Sequence, residues 1–97
     1  MMSTALLSIQ ILPKTKDGED VIPYVDEAIA IIHESGLKYE VHPLDTTVEG
    51  NMSELLQLVE KMNERMIEIG SKNVISQMKL LYQPSGIQLE TLTEKYR

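Results

Sequence analysis

The sequence predicts an α+β fold in the order βαββαβ. Four segments alternate apolar and polar residues, the period of a strand with one core face. Two longer segments repeat apolar residues at helical spacing. Glycines and prolines fall at the junctions between these segments, where a change of direction needs them.

The first segment, Thr4 to Leu12 (TALLSIQIL), sets Leu7, Ile9 and Ile11 on one side and Leu6, Ser8 and Gln10 on the other. Pro13 to Asp20 (PKTKDGED) gathers Pro, Gly and Asp and reads as a loop. Pro23 sits where a first helical turn tolerates a missing N–H. Val25, Ala28, Ile29 and Ile32 then follow an i, i+3, i+4, i+7 stripe, predicting a helix over 22–35 that Gly36 ends in the left-handed conformation. Leu37 to His42 (LKYEVH) alternates again, Pro43 breaks it, and Thr46 to Gly50 (TTVEG) resumes, which predicts two strands joined by a short turn. Asn51 and Glu54 form a capping pair for a second helix, with the stripe Leu55, Val59, Met62, Met66 and Ile69 and a stop at Gly70. Val74 to Tyr82 (VISQMKLLY) is the last strand, with Val74, Met78 and Leu80 inward and Gln77 and Lys79 on the other side. After a Pro84–Gly86 turn, Leu89, Leu92 and Tyr96 line one side of a short terminal helix.

This order suits a ferredoxin-like split βαβ domain spanning 1–97: a four-stranded antiparallel sheet, first and third strands central, both main helices on one face. A chain of 97 residues has room for one such core and no more, and that core is small enough that oligomerisation would help it. No cysteine is present, so disulfides, thiolate metal sites and thiol nucleophiles are excluded together. No apolar stretch approaches the roughly 18 residues of a spanning helix, and no basic leader opens the chain, so a cytoplasmic protein with no membrane insertion is expected. A formal charge of −6, with arginine only at Arg65 and Arg97, opposes nucleic-acid and other anionic partners and suits neutral or cationic ligands.

The alternation leaves an open sheet face that is polar at its centre. If Leu7, Ile9 and Ile11 meet the helices, Ser8 and Gln10 share the open face with Thr47 and Glu49, joined by Gln77 and Lys79 and by Glu40 or Lys38 with His42. One wet face is ordinary in an antiparallel sheet. Hydroxyls, amides and a carboxylate at short range nevertheless supply donors and acceptors that suit a flat heteroaromatic ligand. Leu6 and Leu81 on that face point to partial covering by another subunit.

Other chemistries lack their residues. His33 and His42 show no metal-ligand spacing, and no metal site is expected. Gly50 in VEGN is followed by no Gly-Lys-Ser/Thr, so a phosphate loop fails and a turn glycine remains. RNA-recognition domains of this topology stack bases on aromatics, and the chain has no Phe or Trp. An acylphosphatase-like site would need an arginine in the loop after the first strand, which has none. The methionines of the second helix read as core packing. No Ser-His-Asp or paired-carboxylate arrangement stands out, so no catalytic residue is nominated.

Three stretches carry a resemblance: SGLKYEVHPLDTTVEG (Ser35–Gly50), the preceding helix PYVDEAIAIIHE, and the tail SGIQLETLTEKYR. Together they resemble the thiamine-binding protein family of small ferredoxin-like domains, in order and over nearly the whole chain. The resemblance implies a homotetramer, a dimer of dimers with ligand pockets near the polar sheet faces. It also implies binding of thiamine or its hydroxymethylpyrimidine precursor without catalysis and with no further cofactor. Thr46, Thr47 and Glu49 match the family's TTVEG motif, Ser8 matches a first-strand serine, and Gln77 holds the corresponding polar place in the last strand. The chain departs from the pattern at Asp45, where relatives carry asparagine or a small polar residue, and at the apolar LLYQ (Leu80–Gln83) ending of the last strand. The ligand-binding residues expected are therefore Ser8, Gln10, Thr46, Thr47, Glu49 and Gln77. The alternative expectation is an oligomeric interaction or regulatory module whose polar face is a wet subunit interface and which takes no thiamine-type ligand. An enzyme acting on a pyrimidine would need turnover dependent on Glu49 or His42.

Overall fold

A computed structural model describes residues 4–94 of the chain. The elements are β1 (Thr4–Pro13), a 3-10 turn (Lys16–Gly18), α1 (Ile22–Glu34), β2 (Lys38–Val41), β3 (Thr46–Asn51), α2 (Met52–Glu68), β4 (Val74–Tyr82) and α3 (Leu89–Thr93). The four strands form one sheet in the order β2-β3-β1-β4, every neighbouring pair antiparallel. This is the expected βαββαβ arrangement with β1 and β3 central. Tyr96, assigned to the terminal helix from sequence, lies outside the described residues.

The register fixes the two faces. Leu7 stands opposite Val48 and Leu80, and Ile9 opposite Thr46 and Met78. Leu7, Ile9 and Ile11 belong to the same buried cluster as Ala28 and Ile32 of α1 and Leu55, Leu58, Met62 and Met66 of α2, so both helices cover this face. Met62 and Met66 of α2 are core, as its spacing indicates.

Local chemistry explains the ends. Asn51 caps α2 through a full capping box: its Oδ1 accepts the Glu54 backbone N–H at 2.9 Å, and Glu54 Oε1 accepts the Asn51 backbone N–H at 3.1 Å. Gly36 follows α1 at φ +77°, and Gly70 follows α2 at φ +115°, where a β-carbon would be strained. The α1 stripe is rotated from its predicted position. Tyr24, Ala28 and Ile32 are buried while Val25 and Ile29 are half-buried, because the i, i+4 row through Tyr24 points at the sheet.

The larger departure is in β4. Met78 and Leu80 lie on the helix-facing side by register, yet they remain 41% and 40% exposed. β4 is an edge strand. Its start meets α2, where Ser76 Oγ donates to Asn63 Oδ1 at 2.8 Å, but its far half is left uncovered.

Candidate polar-face site

On the open face the antiparallel pairing sets side chains in rows across the sheet. Glu40 of β2, Thr47 of β3, Ser8 of β1 and Lys79 of β4 make one row. Lys38, Glu49, Leu6 and Leu81 make the next, and Gln10 stands opposite Gln77 on the other side of Ser8. Five of the six residues expected from sequence therefore share one face: Ser8, Gln10, Thr47, Glu49 and Gln77. Thr46 does not join them. It has the parity of Val48, lies on the helix-facing side and is only 7% exposed, because successive β-strand side chains point to opposite faces.

Ser8 is held by a residue brought in by the β2–β3 hairpin. The loop is closed by the His42 N–H donating to the Asp45 carbonyl at 2.8 Å. This brings the Asp45 carboxylate to Ser8, whose hydroxyl donates to Oδ2 at 2.5 Å, while His42 Nδ1 lies 3.0 Å from Oδ1. The Ser8 hydrogen bond, above all, holds the Asp45 carboxyl below its ordinary value against a partial desolvation that raises it, with His42 and Lys79 helping to lower it. Sequence reading nominated no Ser-His-Asp group, and these three residues do meet. The carboxylate is in the middle, however, so the imidazole does not face the serine hydroxyl. An ionised, acidified carboxylate is a poor base, and the arrangement orients Ser8 rather than activating it.

The other end of the face is covered by the chain's own C-terminal segment. Thr4 Oγ1 donates to the Ile87 carbonyl at 2.7 Å and accepts from the Ile87 N–H at 3.1 Å. One residue pair further along, Glu49 Oε1 accepts the Leu89 N–H at 2.8 Å, and Lys38 Nζ pairs with Glu90. Leu89 is buried, and Leu6 is only 6% exposed although it belongs to the face opposite the helices. Sequence reading assigned the covering of Leu6 and Leu81 to another subunit. Leu6 is instead covered within the chain, and Leu81 stays exposed.

Between β2 and α3 lies a cleft of about 380 Å³ lined by Lys38, Tyr39, Glu40, Leu89, Glu90, Thr93 and Glu94. Three carboxylates face one ammonium there, which favours a cationic occupant. The cleft adjoins the Glu49 row, so the polar rows and the acidic cleft form one continuous surface. Nothing in the sequence marks Asp45 or Leu89 as part of it. The Pro43 break before the threonines is the one local sign that a loop curls over Ser8.

No helix among the described residues is long and apolar enough to cross a membrane.

The sequence profile of the family described as "Thiamine-binding protein" matches residues 7–97. The UPF0045 protein CPE1503 of Clostridium perfringens is 40% identical over 96 residues, covering 99% of this chain and all of that protein. The structure resembles the domain of unknown function DUF77 from Bacillus cereus, with TM-score 0.92 and 32% identity over 99% of this chain and 92% of that one. It also resembles a candidate thiamine biosynthesis/salvage protein, TM0486, from Thermotoga maritima, with TM-score 0.87 and 33% identity over 97% and 99% of the two chains. The βαββαβ fold and a profile match over almost the full length agree, and the chain belongs to the thiamine-binding protein family.

Proposed function

We propose that the chain acts as one cytoplasmic ligand-binding domain, within a homo-oligomer arranged as a dimer of dimers. Its ligand is thiamine or the hydroxymethylpyrimidine moiety of thiamine, bound without catalysis as a carrier, buffer or sensor. The observation that carries this reading is Glu49 on the open face, one row from Thr47 and Ser8 and beside an acidic cleft. A 4-aminopyrimidine offers an amino donor next to ring-nitrogen acceptors. A carboxylate takes the former and a hydroxyl or amide serves the latter. Glu49 has one oxygen committed to the Leu89 N–H, which leaves Oε2 for the amino group or a protonated ring nitrogen. Thr47, Gln10 and Gln77 supply the remaining donors and acceptors, and Ser8 is oriented by Asp45. The positive thiazolium of thiamine matches the carboxylates lining the cleft, whereas the diphosphate would meet the same field as an anion. Family membership supports the ligand class, and the Thermotoga maritima neighbour is associated by its description with thiamine biosynthesis or salvage.

One observation favours the second reading, an interaction or regulatory module without such a ligand: Ser8 and Glu49 both have partners within the chain. Calorimetric titration of the wild type and Glu49→Gln with thiamine separates the two. A charge-assisted hydrogen bond contributes roughly 1.5–3 kcal/mol, so Glu49→Gln should weaken binding about tenfold or more. The glutamine keeps an amide oxygen for the Leu89 N–H, so the loss reads the charge and not release of α3. Equal affinity in the variant removes Glu49 from the site.

A further inference from the structure

We infer that Lys38 sets the preference of the site between cationic and neutral ligands: its ammonium holds the place that a ligand's positive charge takes, and a cation binds by displacing it. This rests on the reading of the polar face as a thiamine-type site and names the residue that selects within it. Lys38 and Glu49 stand directly opposite each other on the antiparallel pair β2–β3, on the open face. Side chains so opposed have β-carbons about 4.5–5.5 Å apart, so the ammonium is an immediate neighbour of the carboxylate that takes the pyrimidine. From there Lys38 Nζ reaches across the cleft to Glu90 of α3. Among the described residues it is the one cation in the cleft lining, set against Glu40, Glu90 and Glu94. The two hydroxyls of that lining are engaged elsewhere: Thr93 donates to the Leu89 carbonyl at 3.2 Å, and the Tyr39 hydroxyl lies 2.9 Å from His33 Nδ1. Charge, rather than a fixed set of hydrogen bonds, therefore decides what the cleft accepts.

The covalent structure of thiamine brings its charge to this lysine. A single methylene joins the two rings, so a pyrimidine held at Glu49 sets the thiazolium beside it, where Lys38 stands and where the cleft of about 380 Å³ opens. Hydroxymethylpyrimidine lacks the second ring and leaves the ammonium in place. The Lys38–Glu90 pair suits displacement. Its side chains are 48% and 69% exposed, so water already solvates both charges and breaking the pair costs little. Lys79, the other lysine of the open face, belongs to β4 at the far edge of the sheet and does not line the cleft.

The test is calorimetric titration of wild type, Lys38→Gln and Glu90→Gln with thiamine and with hydroxymethylpyrimidine at low salt. Two like charges about 4 Å apart in water repel by an amount worth a factor of about five in affinity. The ratio of thiamine to hydroxymethylpyrimidine affinity should therefore rise about fivefold in Lys38→Gln and fall by a similar factor in Glu90→Gln. Lys38→Arg, which keeps the charge, should restore the wild-type ratio. The gain in Lys38→Gln should fade as salt is raised. Both neutralising variants break the same ion pair, so a lysine that only anchors α3 would move the two variants in the same direction and both ligands alike. That outcome, or a Lys38→Gln ratio equal to that of wild type, overturns this inference while thiamine binding by the wild type upholds the ligand reading. A wild type that gives no heat with either ligand overturns the ligand reading and this inference with it.

Discussion

Asp45 shows how much one side chain can organise. Its carboxylate takes a hydrogen bond from Ser8 and lies beside His42, and its pKa is depressed below 3.8, first by the Ser8 hydroxyl. A group whose folded pKa is depressed stabilises the fold fully above its unfolded pKa, and that contribution is lost as pH falls through the folded value. Asp45→Asn should therefore lower the urea midpoint at neutral pH by a small amount, since the carboxylate is a third exposed. The difference from the wild type should shrink as pH falls below 3.8. A difference that stayed constant through acid pH would show that the carboxylate's charge is not what stabilises the loop. At this scale the sequence is a partial guide. Alternation alone separates Ser8, Gln10, Thr47 and Glu49 from the core, and it also places Thr46 with Val48, against the motif match that grouped it with Thr47. The pairing of Ser8 with Asp45 joins residues 37 positions apart through a loop, which no local pattern encodes.

The elements follow their signals where local chemistry decides. The Asn51–Glu54 box satisfies two backbone N–H groups at the start of α2, and Asn51→Ala should cost about 1 kcal/mol, read as a lower denaturant midpoint with unchanged slope. Its absence would mean that packing of Leu55 and Leu58, rather than the cap, fixes the start of the helix. α3 is the opposite case. Five residues are too few to hold a helix by themselves, so its place depends on the Glu49 acceptor, the Lys38–Glu90 pair and the burial of Leu89. Glu49→Ala should speed hydrogen exchange at the Leu89 amide while leaving the β1–β3 ladder unchanged. Unchanged exchange at Leu89 would assign its protection to side-chain packing alone. Sequence spacing anticipates a terminal helix but not its position on the open face, because the tie to Glu49 is 40 residues away. In β4, likewise, period two separates Gln77 and Lys79 from Met78 and Leu80 without revealing that the helices stop short of its far half.

For the whole molecule, the βαββαβ order was legible because strand and helix periods differ and because turn residues separate them. The candidate binding surface was legible only as a polar face. Its extension into a cleft under α3 depends on tertiary contacts. Three of the chain's fifteen acidic side chains, Glu40, Glu90 and Glu94, line that cleft beside one lysine, Lys38. Binding of a cationic ligand there should weaken as ionic strength rises, while a neutral pyrimidine should be little affected. The most direct measurement is calorimetric titration of the purified protein with thiamine, hydroxymethylpyrimidine and thiamine diphosphate in parallel at one salt concentration. Saturable binding of the first two, with the diphosphate weaker, is the predicted result. No heat from any of the three with a folded protein would contradict the assignment and leave the Thr47–Glu49 strand as a solvent face or subunit interface.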